Sequence, residues 1–334
     1  MKKELIDVVI TWVDGNDPQH TKKLNSFLPD SKIRPTGAQE TRYGNVNEIY
    51  FSLFSIFTFA PFVNNIYIVT DEQKPDIESL FELWFPERTN QVKIVDHKEI
   101  FEGYQEYLPT FNSRTIESML WRIKGLSQRF VYFNDDMFLI RPLKEEDWFV
   151  NNVPVLRGKK TLAPIFHVIW QKIQLILNSD KKLRPSFHLG QYNAAKVSGF
   201  NFTYFVFSHT PHPILKQNSK TFLELSKERI EQQLKFKFRH FSQFNFLSYC
   251  YHLTLKKEMY SIQPFALSYV QPAKRKKNYI NKKIALCEKK EAIKFMCVQS
   301  LDLCSKEDQN KILDWIHNRC IKHLKTLNLS NNKK

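Results

Sequence analysis

LIDVVITWV, residues 5–13, is a short apolar run that stops abruptly at the polar sequence DGNDP, residues 14–18. This pattern predicts a buried strand followed by a turn, because Gly, Asn, Asp and Pro all favour turns. The pattern returns at residues 129–133, RFVYF, which end in Asn134-Asp135-Asp136. Two strands that both end in carboxylates predict a ligand site beyond the ends of the strands.

Helical and strand-like segments alternate over the first 150 residues. The patterns predict helices at residues 47–60 and 113–126, and further strands at residues 65–70 and 92–95. Alternation of this kind predicts an α/β fold with a mostly parallel sheet and helices on both faces. In such a sheet the ligand lies beyond the carboxyl ends of the strands, where Asp14 and the Asp135-Asp136 pair are expected.

The charge of the chain is distributed unevenly between its two halves. Residues 1–150 contain 17 Lys and Arg against 23 Asp and Glu, a net charge of −6, whereas residues 151–334 contain 33 against 11, a net charge of +22. A basic half can bind nucleic acid, an anionic membrane surface or an anionic polymer, or can be a solvated surface. Helical patterns at 221–235, 241–253 and 307–324 predict that this half is largely helical.

Cysteines and apolar segments indicate neither disulfides nor a membrane span. The five cysteines form no CxxC pair and are odd in number, which favours a reducing compartment. The N-terminus lacks the pattern of a signal peptide. Pro61 and Asn64-Asn65 interrupt the uncharged stretch 49–70, which is therefore interpreted as helix, turn and buried strand. We expect a cytoplasmic protein.

The adjacent carboxylates Asp135 and Asp136 need a cationic partner if they end a buried strand. Mg²⁺ or Mn²⁺ bridging a diphosphate would meet that need, because both ions prefer oxygen ligands. Asn-Asp-Asp is also an ordinary turn sequence. Both interpretations stay open on spacing alone.

Histidine and arginine residues of the second half are further candidates. His209 and His212 lie in SHTPHP, a proline-stiffened segment in which an imidazole could act as a general base. Arg239, which precedes His240, has the planar fork that clamps a phosphate. Surface histidines and a basic helix face would explain the same residues without any function.

Four regions, taken in order, resemble the stealth family, which includes bacterial capsule phosphotransferases and the animal lysosomal-enzyme N-acetylglucosamine-1-phosphotransferase. They are IDVVITWVDGNDP at 6–18, the segments from RYGNVNE at 42–48 to YFNDD at 132–136, HTPH at 209–212 with FRH at 238–240, and KFMCV at 294–298. The chain departs from the family pattern at Phe54, where Arg is usual, and at Gln299-Ser300, where Asn-Asp is usual. Asp302 is the candidate to replace the carboxylate missing there.

The resemblance implies a role for twelve residues. It implies that the pocket for a nucleotide-sugar donor contains Trp12, Asp14, Gly15, Arg42 and Glu48. It implies that Asn112, Ser113 and Glu117 support this pocket. It implies that Asp135 and Asp136 are catalytic or metal-binding, and that His209 and Arg239 complete the site at the transferred phosphate. Since a base with a pKa of ~6.5 suits proton transfer at neutral pH, His209 is expected to act near its ordinary pKa.

The resemblance also implies the activity. The chain is expected to transfer hexose- or N-acetylhexosamine-1-phosphate from a UDP-sugar to a hydroxyl of an anionic glycan, with Mg²⁺ or Mn²⁺ as cofactor. Transfer of the sugar alone is the alternative. No signature of nucleic-acid recognition is present.

The expected fold is a Rossmann-like, nucleotide-sugar-binding core at 1–150, completed by the basic, largely helical portion at 151–334. The two portions are expected to form one integrated catalytic unit. Peripheral contact with the inner face of the cytoplasmic membrane or with capsule machinery is compatible with the basic half.

Overall fold

The fold was obtained as a computed structural model, which describes residues 4–28, 38–39, 43–164, 184–274 and 278–331. The strands are β1 Ile6–Thr11, β2 Ile66–Thr70, β3 Val92–Asp96, β4 Arg129–Asn134, β5 Met137–Leu139, β6 Phe149–Val150, β7 Val153–Leu156, β8 Gly158–Leu162, β9 Thr203–Phe207, β10 His212–Leu215, β11 Ser261–Ile262, β12 Leu267–Val270 and β13 Phe295–Val298. The helices are α1 Pro18–Asn25, α2 Glu48–Phe59, α3 Glu78–Leu83, α4 His97–Ile100, α5 Ser113–Glu117, α6 Phe187–Val197, α7 Lys216–Lys220, α8 Lys227–Leu234, α9 Phe246–Lys256, α10 Tyr279–Lys289 and α11 Lys306–Asn331.

The central sheet has the strand order β3-β2-β1-β4-β10. Its first four strands are parallel, and β10 runs antiparallel to β4. β1, β2 and β4 consist almost wholly of buried residues, as expected for parallel strands covered on both faces. The strand order reverses at β1, so the crevice for a ligand lies at the carboxyl ends of β1 and β4. The α/β prediction is confirmed.

Helix α2 is the most buried helix of the first half. Ten of its twelve residues are buried because it packs against β5 on one side and α11 on the other. Phe54 is fully buried and its ring contacts those of Trp84, Phe85 and His317. The departure from the family pattern at Phe54 therefore falls in the core. None of the helices in the described ranges combines the length and apolarity needed to cross a bilayer.

The second half contributes strands as well as helices. β10 extends the central sheet, and β13 pairs with β12 and with β5 in a separate three-stranded sheet, so residues beyond 150 share sheets with strands of the first half. The sequence prediction of a largely helical second half omitted seven strands of the described chain, β7 to β13. Each of these strands has at most five residues, which is too short for a clear alternation of apolar and polar side chains.

The helix predicted at residues 113–126 is shorter than expected. It ends at Glu117, and the chain continues through a single 3-10 turn at Leu120–Arg122. Gly125, beyond that turn, has a positive φ of 83°, which lies outside the helical range. The apolar residues Ile116 and Leu120 still pack into one core cluster. The periodicity indicated which side is buried, but not the conformation.

Two helix predictions in the second half need new boundaries. The segment predicted at 221–235 is divided into a 3-10 turn, Thr221–Glu224, and helix α8. The helix predicted from residue 241 begins at Phe246, where the side chain of Asn245 accepts a hydrogen bond from the Ser248 amide. An Asn that caps a helix in this way fixes its start more strongly than the apolar pattern does.

Candidate active site

A cleft of about 810 Å³ lies at the carboxyl edge of the central sheet. Its walls come from the residues that follow β1, β2, β3, β4 and β13, together with Arg239 and His209. We call the part beside β4 the aspartate end; it contains Glu48, Asp135, Asp136, His209 and Arg239. The part beside β2 and β3 is the histidine end; it contains His20, Asp71, His97 and Thr110. Two or three strand spacings, about 10–14 Å, separate the two ends.

Three carboxylates are concentrated at the aspartate end. Burial and the neighbouring Glu48 raise the pKa of Asp135 well above its ordinary value and that of Asp136 to about 7. The Cys297 thiol donates to Asp136 Oδ2 over 3.6 Å, while the buried Oδ1 of Asp136 has no partner in the described structure. Buried carboxylates of this kind are stabilised by a cation.

The carboxylates suit a metal that is shared with a ligand. Within the described ranges, no three His, Cys, Asp or Glu side chains are arranged to hold a metal by themselves. Mg²⁺ is usually bound by one or two carboxylates together with substrate phosphates. The unpartnered oxygen of Asp136 beside Asp135 fits the protein's share of such a site. The metal itself stays a prediction.

Arg239 is held in the cleft by the start of helix α5. Its Nη2 donates to Ser113 Oγ over 2.7 Å. The Asn112 side chain donates to the Phe236 carbonyl (3.0 Å) and to Gln243 Oε1 (2.9 Å), so it fastens the segment that carries Arg239. Asn112 is fully buried and does not line the cleft. It holds the wall in place.

Glu117 lies behind Arg239. It is buried, bonds to Ser113, and does not line the cleft. Burial raises its pKa to about 7, although the charges of Arg239 and Arg114 act in the opposite direction. Glu117, Ser113 and Arg239 thus form a chain of contacts that runs from the core to the cleft.

His209 lines the cleft between two aromatic rings. It stacks on Phe187 at 4.6 Å and on Tyr269 at 5.3 Å, measured between ring centroids. Burial, and then the charge of Arg239, lower its pKa to about 4. The expectation that it acts near its ordinary pKa therefore needs correction: the sequence did not show how deeply this ring is buried. The imidazole is neutral at neutral pH and can accept a proton.

His212, the other histidine of this segment, lies outside the cleft. It is the first residue of β10, and its Nδ1 lies 3.1 Å from the Tyr251 hydroxyl. Burial lowers its pKa to about 3. The structure therefore brings only His209 of this pair to the cleft.

Some of the residues predicted to form the donor pocket line the cleft, whereas others do not. Trp12, Glu48 and Ser113 line the cleft. Asp14 and Gly15 do not line it. Arg42 lies outside the described residues.

Asp14 and Gly15 shape the loop that follows β1. Asp14 Oδ1 accepts from the Asn16 amide over 2.9 Å, which closes the turn. The Gly15 amide donates to the Tyr43 carbonyl, and a Cβ on Gly15 would lie 2.2 Å from that oxygen. Glycine is therefore required at this close approach of two backbones.

The sequence did not single out the histidine end. His20 and His97 are buried, and both ring nitrogens of His20 and Nδ1 of His97 have no partner in the described structure. The buried hydroxyl of Thr110 also lacks one. Burial lowers the pKa of His20, and that of His97 to about 4. Neutral imidazoles each offer one donor and one acceptor, so this end can bind a neutral polar group.

One signal could have identified His97. It directly follows β3, and the rule that ligands bind at the carboxyl ends of parallel strands applies to β3 as it does to β4. His20 gave no such signal, because it lies within helix α1 and does not follow a strand directly. Only the conformation of the loop after β1 brings it to the cleft.

Asp302 is present at the cleft, as the hypothesis of a replacement carboxylate requires. Its side chain packs so closely on Gly44 that a Cβ there would lie 2.5 Å from Asp302 Oδ2. Burial raises the pKa of Asp302, and Asp302 in turn contributes to the raised pKa of Glu48. Its role stays a prediction.

The fold and the cleft together define an α/β protein of the Rossmann-like class with an acidic ligand site at the strand switch point. Residues 5–32 match the model of Stealth protein conserved region 1, and residues 42–155 match that of conserved region 2. The capsular polysaccharide phosphotransferase WcwK of Streptococcus pneumoniae is 37% identical over 254 residues, covering 70% of this chain and 73% of that protein. The chain belongs to the Stealth family.

Two further relatives are also named capsular polysaccharide phosphotransferases. Capsular polysaccharide phosphotransferase cps1A of Actinobacillus pleuropneumoniae is 35% identical over 185 residues, and LcbA of Neisseria meningitidis is 44% identical over 152. These alignments cover 51% and 44% of this chain, and 48% and 38% of the relatives, so the chain spans less than half the length of either protein.

The matches confirm the first two of the four predicted regions. The third and fourth regions stay predictions. The solved galactosyltransferase LgtC overlaps with 95% of this chain at a TM-score of 0.44 and 9% identity, which is too weak to bear on function.

Proposed function

We propose that this chain transfers a sugar-1-phosphate from a UDP-sugar to a hydroxyl of an anionic glycan and so builds a phosphodiester-linked capsular or surface polysaccharide. The observation that supports it most is that one cleft gathers Asp135, Asp136, His209 and Arg239 from segments far apart in the sequence. Relatives of the chain are named capsular polysaccharide phosphotransferases.

The reaction exchanges one phosphorus–oxygen bond for another. The acceptor hydroxyl forms a bond to the β-phosphorus of the donor, and the bond from that phosphorus to the bridging oxygen of UMP breaks. The proton of the hydroxyl passes to His209, which is neutral at neutral pH. A bound phosphate would offset the charge of Arg239, one cause of the low His209 pKa, and so make the base stronger when the donor is present.

Arg239 would hold the non-bridging oxygens of the transferred phosphate. Its planar guanidinium presents parallel donors, and Ser113 fixes its orientation. Donors fixed before the reaction stabilise charge that develops in the transition state. Asp135 and Asp136 would hold Mg²⁺ or Mn²⁺, which would neutralise charge on the diphosphate.

The donor would lie along the whole cleft. With its diphosphate at the aspartate end, its nucleobase extends over β1 towards the histidine end. There, the neutral imidazoles of His20 and His97 offer donors and acceptors to the edge of a base. This placement agrees with the rule for ligands of open parallel sheets.

The acceptor and the location of the protein are part of the same proposal. The net charge of +22 in residues 151–334 supports an anionic glycan as acceptor. A cytoplasmic location with peripheral contact to the membrane or the capsule machinery stays a prediction, supported by the same charge.

The nucleotide product tests the proposal. The chain is incubated with Mn²⁺, a panel of UDP-sugars and a capsular oligosaccharide acceptor, and the released nucleotide is identified by chromatography. We expect UMP. Release of UDP would show that the sugar alone is transferred, which is the alternative. An Asp136→Asn sample corrects for spontaneous hydrolysis of the donor.

A further inference from the structure

The side-chain amide of Gln299 has a fixed orientation at the cleft. Gln299 directly follows β13, and its backbone N–H donates to the Val270 carbonyl over 2.9 Å. Its Oε1 accepts from the Tyr269 hydroxyl and, over 3.1 Å, from Gln271 Nε2. Both hydrogen bonds go to the side-chain oxygen, while Nε2 of Gln299 has no hydrogen-bond partner among the described residues. Since Gln299 lines the cleft, two N–H donors remain for a ligand.

Tyr269 links this amide to His209. Burial raises the pKa of Tyr269 to about 12, so its hydroxyl stays protonated and keeps donating. The same ring stacks on His209 with 22° between the ring planes. One side chain thus orients Gln299 through its hydroxyl and contacts the proposed base through its face.

The wall around Gln299 favours a sugar hydroxyl over a phosphate as its ligand. Ser300 and Asp302 line the same wall, and a carboxylate without a metal ion between it and the ligand accepts hydrogen bonds from hydroxyls but repels phosphate oxygens. The Val298 amide donates to the Asp136 carbonyl over 3.0 Å, which places this wall at the aspartate end, away from the nucleobase.

We propose that Gln299 is a specificity-determining residue whose side-chain N–H groups bind a hydroxyl oxygen of a pyranose, with Tyr269 and Gln271 as positioning residues. The inference rests on the proposed function and deepens it. The pyranose has two possible sources, the sugar of the donor and the terminal sugar of the acceptor glycan, and the two arms of the experiment separate them.

Three variants of the full chain isolate the proposed contact. Gln299→Met keeps the length of the side chain without its donors, whereas Gln299→Asn restores an amide. Tyr269→Phe keeps the ring against His209 but releases the amide. Gln217→Met is the matched control, because Gln217 is exposed on α7 and lies outside the cleft.

The first arm measures the affinity for UDP and for UDP-N-acetylglucosamine, UDP-glucose and UDP-galactose by calorimetry with Mn²⁺. The second measures KM and kcat for a capsular oligosaccharide acceptor. We expect Gln299→Met to weaken one of the two sugar ligands by about 3- to 10-fold, the scale of one neutral hydrogen bond, with UDP affinity unchanged. Tyr269→Phe should weaken the same ligand by up to about 3-fold, and Gln299→Asn should recover part of the loss.

The outcomes separate the two proposals. A change confined to UDP-sugar affinity assigns Gln299 to the donor sugar, and a change confined to the acceptor KM assigns it to the acceptor. If a folded Gln299→Met variant has the same UDP-sugar affinity and the same acceptor KM as the unmodified chain, the inference is overturned while the proposed function stays intact. If the unmodified chain binds no UDP-sugar at all, the proposed function fails, and the inference fails with it.

Discussion

The two ends of the cleft bury titratable side chains of opposite kind, acidic groups at one end and basic groups at the other. At the aspartate end, carboxylates lie close together and their pKa values are raised, so their charges lack compensation. At the histidine end, burial keeps the imidazoles of His20 and His97 neutral. The difference indicates that the aspartate end suits a cation together with an anionic group of the ligand, whereas the histidine end suits a neutral polar group. A nucleotide-sugar has both parts.

The aspartate end should give the largest effect. Asp135→Asn and Asp136→Asn are each expected to lower turnover at least ~10²-fold, because each removes one electrostatic element from the transition state. Turnover should also need a divalent cation. Steady-state kinetics with and without a chelator checks both points. Asp76→Asn serves as control, because Asp76 is exposed. Full activity in excess chelator would show that the reaction needs no divalent cation.

His209 should affect turnover more than binding. His209→Ala is expected to lower kcat by ~10²-fold, the lower limit for a lost general base, with donor affinity nearly unchanged. Initial rates at varied donor concentration separate the two quantities. The control is His188→Ala, since His188 is exposed and does not line the cleft. A variant with normal kcat would shift the base to an acidic residue.

Acidification should change the stability of the two regions in opposite directions. The folded-state pKa of His97 is about 4, below the unfolded ~6.5, so its contribution to stability is present above pH 6.5 and is lost as the pH falls. The folded-state pKa of Glu117 is about 7, above the unfolded value of 4.5, so stability is gained as the pH falls. Each change amounts to ~2 kcal/mol between pH 7.5 and 5.

The matched variants His97→Gln and Glu117→Gln separate these contributions. Relative to the unmodified chain, Glu117→Gln should lose stability more steeply on acidification, and His97→Gln less steeply. Denaturant unfolding at pH 7.5 and pH 5 measures both slopes. Parallel pH dependence in all three proteins would mean that neither group titrates differently on folding.

Arg239→Lys should give the smallest effect. The charge is kept, but the parallel donors are lost, so we expect kcat/KM to fall by about 10-fold. The conservative exchange Arg229→Lys, at an exposed position of α8, should change nothing. If Arg239→Lys has the activity of the unmodified chain, Arg239 supplies charge only and its contact with Ser113 has no role in the reaction.

The sequence predicted the aspartate end far better than the histidine end. β1 and β4 are apolar runs that end at polar turns, so the strands and the position of Asp135 and Asp136 followed from local pattern. The link of Asn112 and Ser113 to the segment of Arg239 joins residues more than a hundred positions apart and was not predicted, since the resemblance implied only that both residues support the donor pocket.

What sequence reasoning missed depends on burial and on short elements. The low pKa of His209 results from the rings of Phe187 and Tyr269, which close over it from distant segments. The strands β12 and β13, of four residues each, were not predicted, although they place Gln299 and Asp302, which the resemblance had singled out, in the cleft. Neither the burial of a side chain by distant segments nor a strand of four residues produces a periodic pattern in the sequence.

The most direct test of the account follows the phosphorus atom itself. A UDP-sugar labelled with ³²P in its β-phosphate is incubated with the unmodified chain, Mn²⁺ and the acceptor glycan, and the glycan is separated from nucleotides. If the chain transfers sugar-1-phosphate, the label enters the glycan in equal amount to the sugar and the nucleotide product is unlabelled UMP. A glycan that gains sugar while the label stays in UDP would contradict the account.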